Sequence, residues 1–505
     1  MGAKTLFLFL KPQNFITIFF RFMKNIKKSL EKIPEKFFGP SNFLSKRQKK
    51  LPGKKLRRVF FLVFLPMIFV SCSKKLSDDE KLALKNQKIE EAKSIAIYDF
   101  VASLPAEEKF SELFFVNIEG ENSFHSVENV PAEFALEQKK PLVPGGILLF
   151  SYNISKDPLE TYDFIKSIRD FYIQNNFIPP YIAVDQEGGD VCRLRNLTSA
   201  LPSQTKISSE FTAEGASEIY RTQAKQMKIL GINLNLAPVV EVQNDSNCEF
   251  LGTRTFGDLE KVLPYGKNAV SAYESSGILT SLKHFPGNSS TDPHTGLPKI
   301  RISKSELENE YLSPFRKLLP FSSAVLMSHA CVSVFDDESY SESDVPACLS
   351  KFWVKDIVRG ELGFSGLVIS DDIFMGALSK NGFPPEAASV KAIEAGVDVL
   401  MLSEKRFGSA AAVLLKKSLE DSEFRKKIDE AVCDVVRFKI KCGILLLEEN
   451  DKKENFGDKK AFSKSEAEEN FSFKVSVNRN YPEFDLASFD KFFVEGQSSL
   501  SKNQN

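Results

Sequence analysis

Tryptophan and histidine are the scarce residues here, with one Trp and four His in 505 positions. The seven cysteines nowhere fall in a CxxC spacing, so the metal sites built on that spacing are excluded. Their odd number leaves at least one outside any disulfide set, and the default reading of the rest is buried free thiols. Net charge is also missing, at 67 basic against 67 acidic residues. The balance is uneven along the chain. Residues 1–58 hold 16 Lys/Arg and two acids, Glu31 and Glu35, which leaves the remainder at −14. An acidic body of that kind argues against nucleic acid as a partner.

The basic front end leads into an apolar run, Val59 to Val70, flanked by Lys54, Lys55, Arg57 and Arg58 before it and by Ser71, Cys72 and Ser73 after it. The run falls short of the ~20 residues of a membrane span. A basic region, a short apolar core and small residues at a cleavage point describe a secretory signal. FVSC resembles the lipobox of bacterial lipoproteins, in which the cysteine is lipidated. On that reading residues 1–71 are extension and signal peptide, and an exported, membrane-anchored chain of 434 residues begins at Cys72. The alternative is a short uncleaved anchor or a buried strand. Residues 72–97 are charged and read as a tether leading into a helix. Residues 448–505 are polar, with Lys/Glu/Ser runs, and read as a disordered tail.

Between them the pattern alternates. Short continuous apolar runs occur at Leu113–Ile118, Gly146–Phe150, Tyr181–Val184, Ile232–Val240, Ile278–Leu282, Ala324–Met327, Gly366–Ile369 and Val397–Leu402. Such runs suit strands buried on both faces. Segments with helical spacing separate them, including Pro158–Gln174, Glu214–Leu230, Leu259–Ser275 and Ser305–Leu319. Eight strand–helix units predict an α/β fold, a (β/α)8 barrel forming one catalytic domain over 98–447, with a doubly wound open sheet as the alternative. Phe407 to Leu447 reads as amphipathic helix on the barrel exterior.

Unusual polar residues follow successive strands: Asp185, Gln186, Glu187 and Arg193 after the third, Arg254 after the fourth, Lys283 and His284 after the fifth, Ser328 and His329 after the sixth, and Asp371 and Asp372 after the seventh. In a barrel these positions share one face. The stretch Lys283 to Pro298, KHFPGNSSTDPHTGLP, is Gly- and Ser-rich and reads as a mobile loop. It carries Asp292 and His294 two apart across Pro293. A residue before proline is pushed toward extended geometry, where positions i and i+2 face one side. A carboxylate–imidazole pair of that kind suits a general acid/base. Sugar hydroxyls are gripped by such donors and acceptors, and retaining glycoside cleavage needs a carboxylate nucleophile and a separate proton donor. For Asp371 and Asp372 a helix cap is the competing reading, and it suits Asp372 better than Asp371.

The ordered motifs DQEGGDVCRL, APVVEV, GTRTFG, KHFPG, DPHTGLP, PACLS and ELGFSGLVISDDIFMGAL resemble glycoside hydrolase family 3, and within it the β-N-acetylhexosaminidase branch. The resemblance covers about Tyr98 to Leu447. It implies Asp371 as nucleophile, His294 as acid/base held by Asp292, and Asp185, Arg193, Arg254, Lys283 and His284 as the N-acetylglucosamine site, with Met327 and His329 nearby. It implies no metal or organic cofactor and action on peptidoglycan fragments (muropeptides) or chito-oligosaccharides; a monomer is the expected state, though no sequence feature sets it. Three departures stand out: Asp190 where the family usually has Arg, Glu241 where it has Asp, and Asn288–Ser289–Ser290 where it has His-Gly-Asp. They motivate one rival reading, a sugar-binding lipoprotein with impaired catalysis. A second rival, a phosphorylase that uses phosphate as acceptor, rests on the histidine acid/base, since an imidazole repels phosphate less than a carboxylate would.

Overall fold

The computed structural model describes residues 77–120, 125–128, 141–293, 295–337, 339–340, 344–450 and 471–502. Cys72 and His294 lie outside the described residues.

Eight parallel strands form one sheet: β1 (Phe114–Asn117), β2 (Gly146–Leu149), β3 (Tyr181–Val184), β4 (Leu234–Asn235), β5 (Leu279–Phe285), β6 (Ala324–Met327), β7 (Leu367–Ser370) and β8 (Leu400–Ser403). Their order is β7-β6-β5-β4-β3-β2-β1-β8. The two ends meet through the parallel bridge Ile369–Val399, backed by Ser370 N–H donating to Val399 O at 3.0 Å. The result is the expected (β/α)8 barrel, not an open sheet.

Most of the strands are runs of apolar residues buried on both faces, and the side-chain period of two divides them between two cores. Phe115, Leu148, Tyr181, Ala183, Leu326 and Ile369 fill the barrel interior. Their neighbours Val116, Ile147, Ile182 and Val368 face the helices. Helices start where short polar side chains cap them. Asp157 accepts Leu159 N–H at 2.8 Å to open Pro158–Gln174, Thr212 accepts Gly215 N–H at 3.0 Å to open Ala213–Ile229, and Asp258 accepts Lys261 N–H at 3.0 Å to open Leu259–Ser275.

Four expectations need correction. The segment expected as a tether at 72–97 is helical from Asp78, within Asp78–Ser103. Lys283–Phe285 is not loop but the buried end of β5, since strand pairing continues through it. Helix does not run to Leu447: Ser422–Lys441 ends it, and Leu445–Glu449 is a strand. The end of the chain is not a structureless tail throughout. Phe473–Val477 pairs antiparallel with Leu445–Glu449, and Leu486–Lys502 packs as a helix against Ala213–Ile229, burying Phe489. A few apolar residues spaced for a strand and then a helix suffice to dock it, although polar residues dominate its composition. Among the described residues no helix is long and apolar enough to cross a membrane.

Candidate active site

The strand C-termini open onto a cleft of about 580 Å³. Asp185, the residue after β3, lies in its wall, followed by a tight hairpin of Gln186–Gly188 and Val191–Cys192. Gly188 makes that turn possible. Its φ is +103°, and a Cβ there would fall 2.1 Å from Pro202 O. Gln186 fastens the hairpin, its N–H donating to Asn235 Oδ1 at 3.0 Å and its Oε1 accepting Leu194 N–H at 3.0 Å.

This brings Glu187 and Arg193 to the same wall as Lys283 and Arg254. Lys283 Nζ stands 2.6 Å from both Asp185 Oδ1 and Glu187 Oε1. Arg254 grips Glu187 with both prongs, Nε to Oε2 at 2.8 Å and Nη2 to Oε1 at 2.9 Å. Bidentate pairs of this kind are the strong ones. Burial alone raises a carboxyl, but Lys283 and Arg254 outweigh it and hold Glu187 at about 2. Burial likewise depresses Lys283, and Asp185 and Glu187 reverse the effect, so its ammonium is held above the ordinary lysine range. Arg193 and Arg254 lie over the rings of Phe150 and Phe250, 5.0 and 5.4 Å from their centroids.

His284, next along β5, sets Nδ1 2.6 Å from Glu241 Oε1. Across the cleft Asp371 follows β7 directly. Its N–H donates to Met327 O at 3.1 Å, and its Oδ1 accepts Asp372 N–H at 2.9 Å, which fixes the carboxylate on the end of a rigid strand. Asp372 Oδ1 accepts Phe374 N–H at 2.8 Å, so Asp372 acts as a local turn residue and not as a helix cap, since the next helix, Gly376–Lys380, has Met375 at its N-cap. The loop after β5 is tied to the segment after β4 by Ser290, whose N–H donates to Ser246 O at 2.7 Å. Beyond it Asp292 and Pro293 form part of the cleft wall, and Asp292 O accepts Thr295 N–H at 2.9 Å.

Asp185, Arg193, Arg254, Lys283, His284, Asp292 and Asp371, scattered over the sequence, therefore line one cleft. Met327 and His329 do not line it. Both are fully buried, and His329 sits behind the Asp371 peptide with Nε2 2.9 Å from Asp372 O and Nδ1 3.2 Å from Cys348 Sγ. In the sequence Glu187 is one of the polar residues after the third strand, with no role assigned to it, and Glu241 is only a departure. Glu187 stands at i+2 from Asp185, and the alternation rule applied there would have put both carboxylates on one wall. The cleft lining also has an apolar part, with Leu148, Phe150, Met401 and Leu402. Among the described residues no group of three His, Cys, Asp or Glu side chains is arranged to hold a metal ion.

A parallel barrel with carboxylates, guanidinium groups, a lysine and an imidazole converging at its strand C-termini has the construction of a barrel enzyme for a small, hydroxyl-rich ligand. The chain belongs to glycosyl hydrolase family 3: the pattern of the family's N-terminal domain matches residues 106–438. Within the family it falls with the β-hexosaminidases. It is 33% identical over 276 residues to a β-hexosaminidase of Tolumonas auensis, a match covering 53% of this chain and 78% of that protein. It is 30% identical over 275 residues to β-hexosaminidase A of Pseudoalteromonas piscicida, covering 51% of this chain but only 45% of that one. Among solved structures, a family 3 β-N-acetylglucosaminidase from a Paenibacillus species superposes with a TM-score of 0.62 at 25% identity, over 79% of this chain and 69% of that one.

Proposed function

We propose that this glycoside hydrolase is a retaining exo-β-N-acetylglucosaminidase that removes terminal β-linked GlcNAc from peptidoglycan fragments or chito-oligosaccharides. The observation that carries the reading is the pairing, across one cleft, of a strand-end carboxylate (Asp371) with the hydroxyl-gripping wall of Asp185, Arg193, Arg254, Lys283 and His284. Asp371 attacks the anomeric carbon while His294, oriented by Asp292, protonates the departing oxygen. The C–O bond to the leaving sugar breaks as the ester to Asp371 forms. His294 then takes a proton from water, whose oxygen displaces Asp371 with net retention. The chain acts as a monomer, held at a membrane by a lipid on Cys72.

The test is release of a chromogenic leaving group from a β-GlcNAc glycoside. Asp371→Ala is expected to reduce turnover to background, and full activity in that variant sinks the reading. His294→Ala is expected to cost on the order of 10²–10⁴-fold on natural disaccharides and much less on activated leaving groups. Product analysis with and without phosphate separates hydrolysis from phosphorolysis. Mass analysis of the N-terminus in the membrane fraction tests the lipid on Cys72.

A further inference from the structure

Two of the positions that depart from the family pattern, Glu241 and Asn288, lie 47 residues apart and meet at His284. Glu241 Oε1 accepts three hydrogen bonds: from His284 N–H at 3.2 Å, from His284 Nδ1 at 2.6 Å and from Asn288 Nδ2 at 3.2 Å. All three residues are buried, at 3%, 7% and 2% exposure. Glu241 Oε2 has no hydrogen-bond partner, so the carboxylate's hold is concentrated on one oxygen, with two of its three bonds from His284. The backbone is shaped to the same end. Gly287 has φ +149°, and a Cβ there would meet the Tyr311 ring at 2.7 Å, so the chain passes close enough to bring Asn288 back over Glu241.

We infer that Glu241, with Asn288 at its side, is a positioning residue for the sugar site, and that it acts through His284. A carboxylate only accepts, so the hydrogen of the 2.6 Å contact sits on His284 Nδ1. The ring is thereby held at its backbone and at one nitrogen, and Nε2 is the atom left to meet a ligand in the cleft. Glu241 itself does not line the cleft. The longer acid and the shorter amide form a matched set: Glu241 reaches one methylene further than aspartate, and Asn288 is shorter than histidine. The inference rests on the sugar-site reading for its consequence, but not for its geometry.

Two measurements test it. The first needs no turnover. Long-range ¹H–¹⁵N spectra of the full chain labelled at its four histidines, with His284 assigned through His284→Ala, are expected to show a proton on Nδ1 of His284 that is lost or exchange-broadened in Glu241→Gln. An Nδ1 without a proton in the unaltered chain overturns the inference. The second is a cycle on β-GlcNAc glycoside cleavage. Glu241→Gln is expected to lower kcat/KM by about tenfold to a hundredfold, the range for a hydrogen bond to a charged group. In a His284→Ala background the same change is expected to cost less than about threefold, because Glu241 then has nothing left to position. Glu241→Asp is expected to be impaired, and Asn288→His added to it to restore most of the loss. Equal losses in both backgrounds overturn the inference, as would the acid and amide changes behaving independently. A chain that cleaves no β-GlcNAc glycoside defeats the proposed function while leaving the spectroscopic result to decide the contact.

Discussion

The barrel buries ions at both ends, and the two sites behave in opposite ways. At the strand C-termini, Glu187 has two cationic partners and three short contacts with them, and it stays ionised with its carboxyl at about 2. At the other end, Glu112, just ahead of β1, meets Lys439 of the helix Ser422–Lys441 at 2.5 Å, with exposures of 3% and 0%. There burial prevails on both partners. Desolvation raises Glu112 despite Lys439, and desolvation lowers Lys439 despite Glu112. Tyr181 and Phe438, in edge contact at 5.2 Å between ring centroids, fill the interior at that end. A single buried ion pair recovers little of its hydration cost, whereas a network with forked geometry recovers more. The upper cluster is therefore suited to keep fixed charges facing a ligand, and the lower pair is a feature the fold tolerates.

The largest effect that can break this contrast lies at the lower pair. Lys439→Met leaves Glu112 buried with no ion-pair partner among the described residues, and is expected to cost about 3–5 kcal/mol in urea unfolding. Glu112→Leu combined with Lys439→Met removes both charges and is expected to return stability to within about 1 kcal/mol of the starting chain, or above it. Activity in the double variant should be unchanged. A double variant as unstable as the single one would show that the pair is a net stabiliser, and the two ends would then be alike.

Acid provides the next test. Glu187 has a folded-state value of about 2 against an ordinary value of 4.5. A depressed carboxyl contributes stability that is fully present above its unfolded value and is lost as pH falls through its folded value. For Glu187 that amounts to about 3 kcal/mol, disappearing between pH 4.5 and 2. Glu112 is raised, so its contribution has the opposite sign: as pH falls through its raised folded value the native state gains a proton before the unfolded chain does, and stability rises. Glu187→Gln should flatten the acid limb of a stability-versus-pH curve, and the Glu112→Leu/Lys439→Met pair should steepen it. An acid limb unchanged by Glu187→Gln would mean that the upper network does not hold its carboxylate as described.

The barrel could be read from the sequence because buried parallel strands are short unbroken apolar runs. Tyr181–Val184 and Ala324–Met327 fall where the runs do. Ile232–Val240 is regular strand only over Leu234–Asn235, and past Pro238, which has no N–H to give a ladder, a single bridge joins Val239 to Lys283. The expectation of a loop at Lys283–Phe285 followed the Gly and Ser that come after it, although Phe285 is fully buried and paired. The strand Phe473–Val477 and the helix Leu486–Lys502 were hidden by composition: Val475 and Phe489 supply much of the packing, and charged residues surround them. The Glu241–His284 contact spans 43 residues and two strands, so no local pattern announces it.

The smallest effect concerns the cation on the cleft wall least committed to its neighbours. Arg193 Nη2 is 3.7 Å from Asp185 Oδ2, beyond hydrogen-bond reach, and its buried Nε has no hydrogen-bond partner. Its clearest contact is with the face of Phe150. Unlike Arg254, which is locked to Glu187, Arg193 therefore keeps donors available for a ligand. Arg193→Lys retains the charge and loses the fork and the flat face that lies over the ring. Stability is expected to stay within about 0.5 kcal/mol, since no strong pair is broken. KM for a β-GlcNAc glycoside is expected to rise by about threefold to tenfold with kcat little changed, the cost of about one ligand hydrogen bond. Arg254→Lys, in contrast, breaks a buried bidentate pair and should lower stability measurably. If the two substitutions cost the same in unfolding, the cleft wall is uniformly structural, and the division between committed and available cations fails.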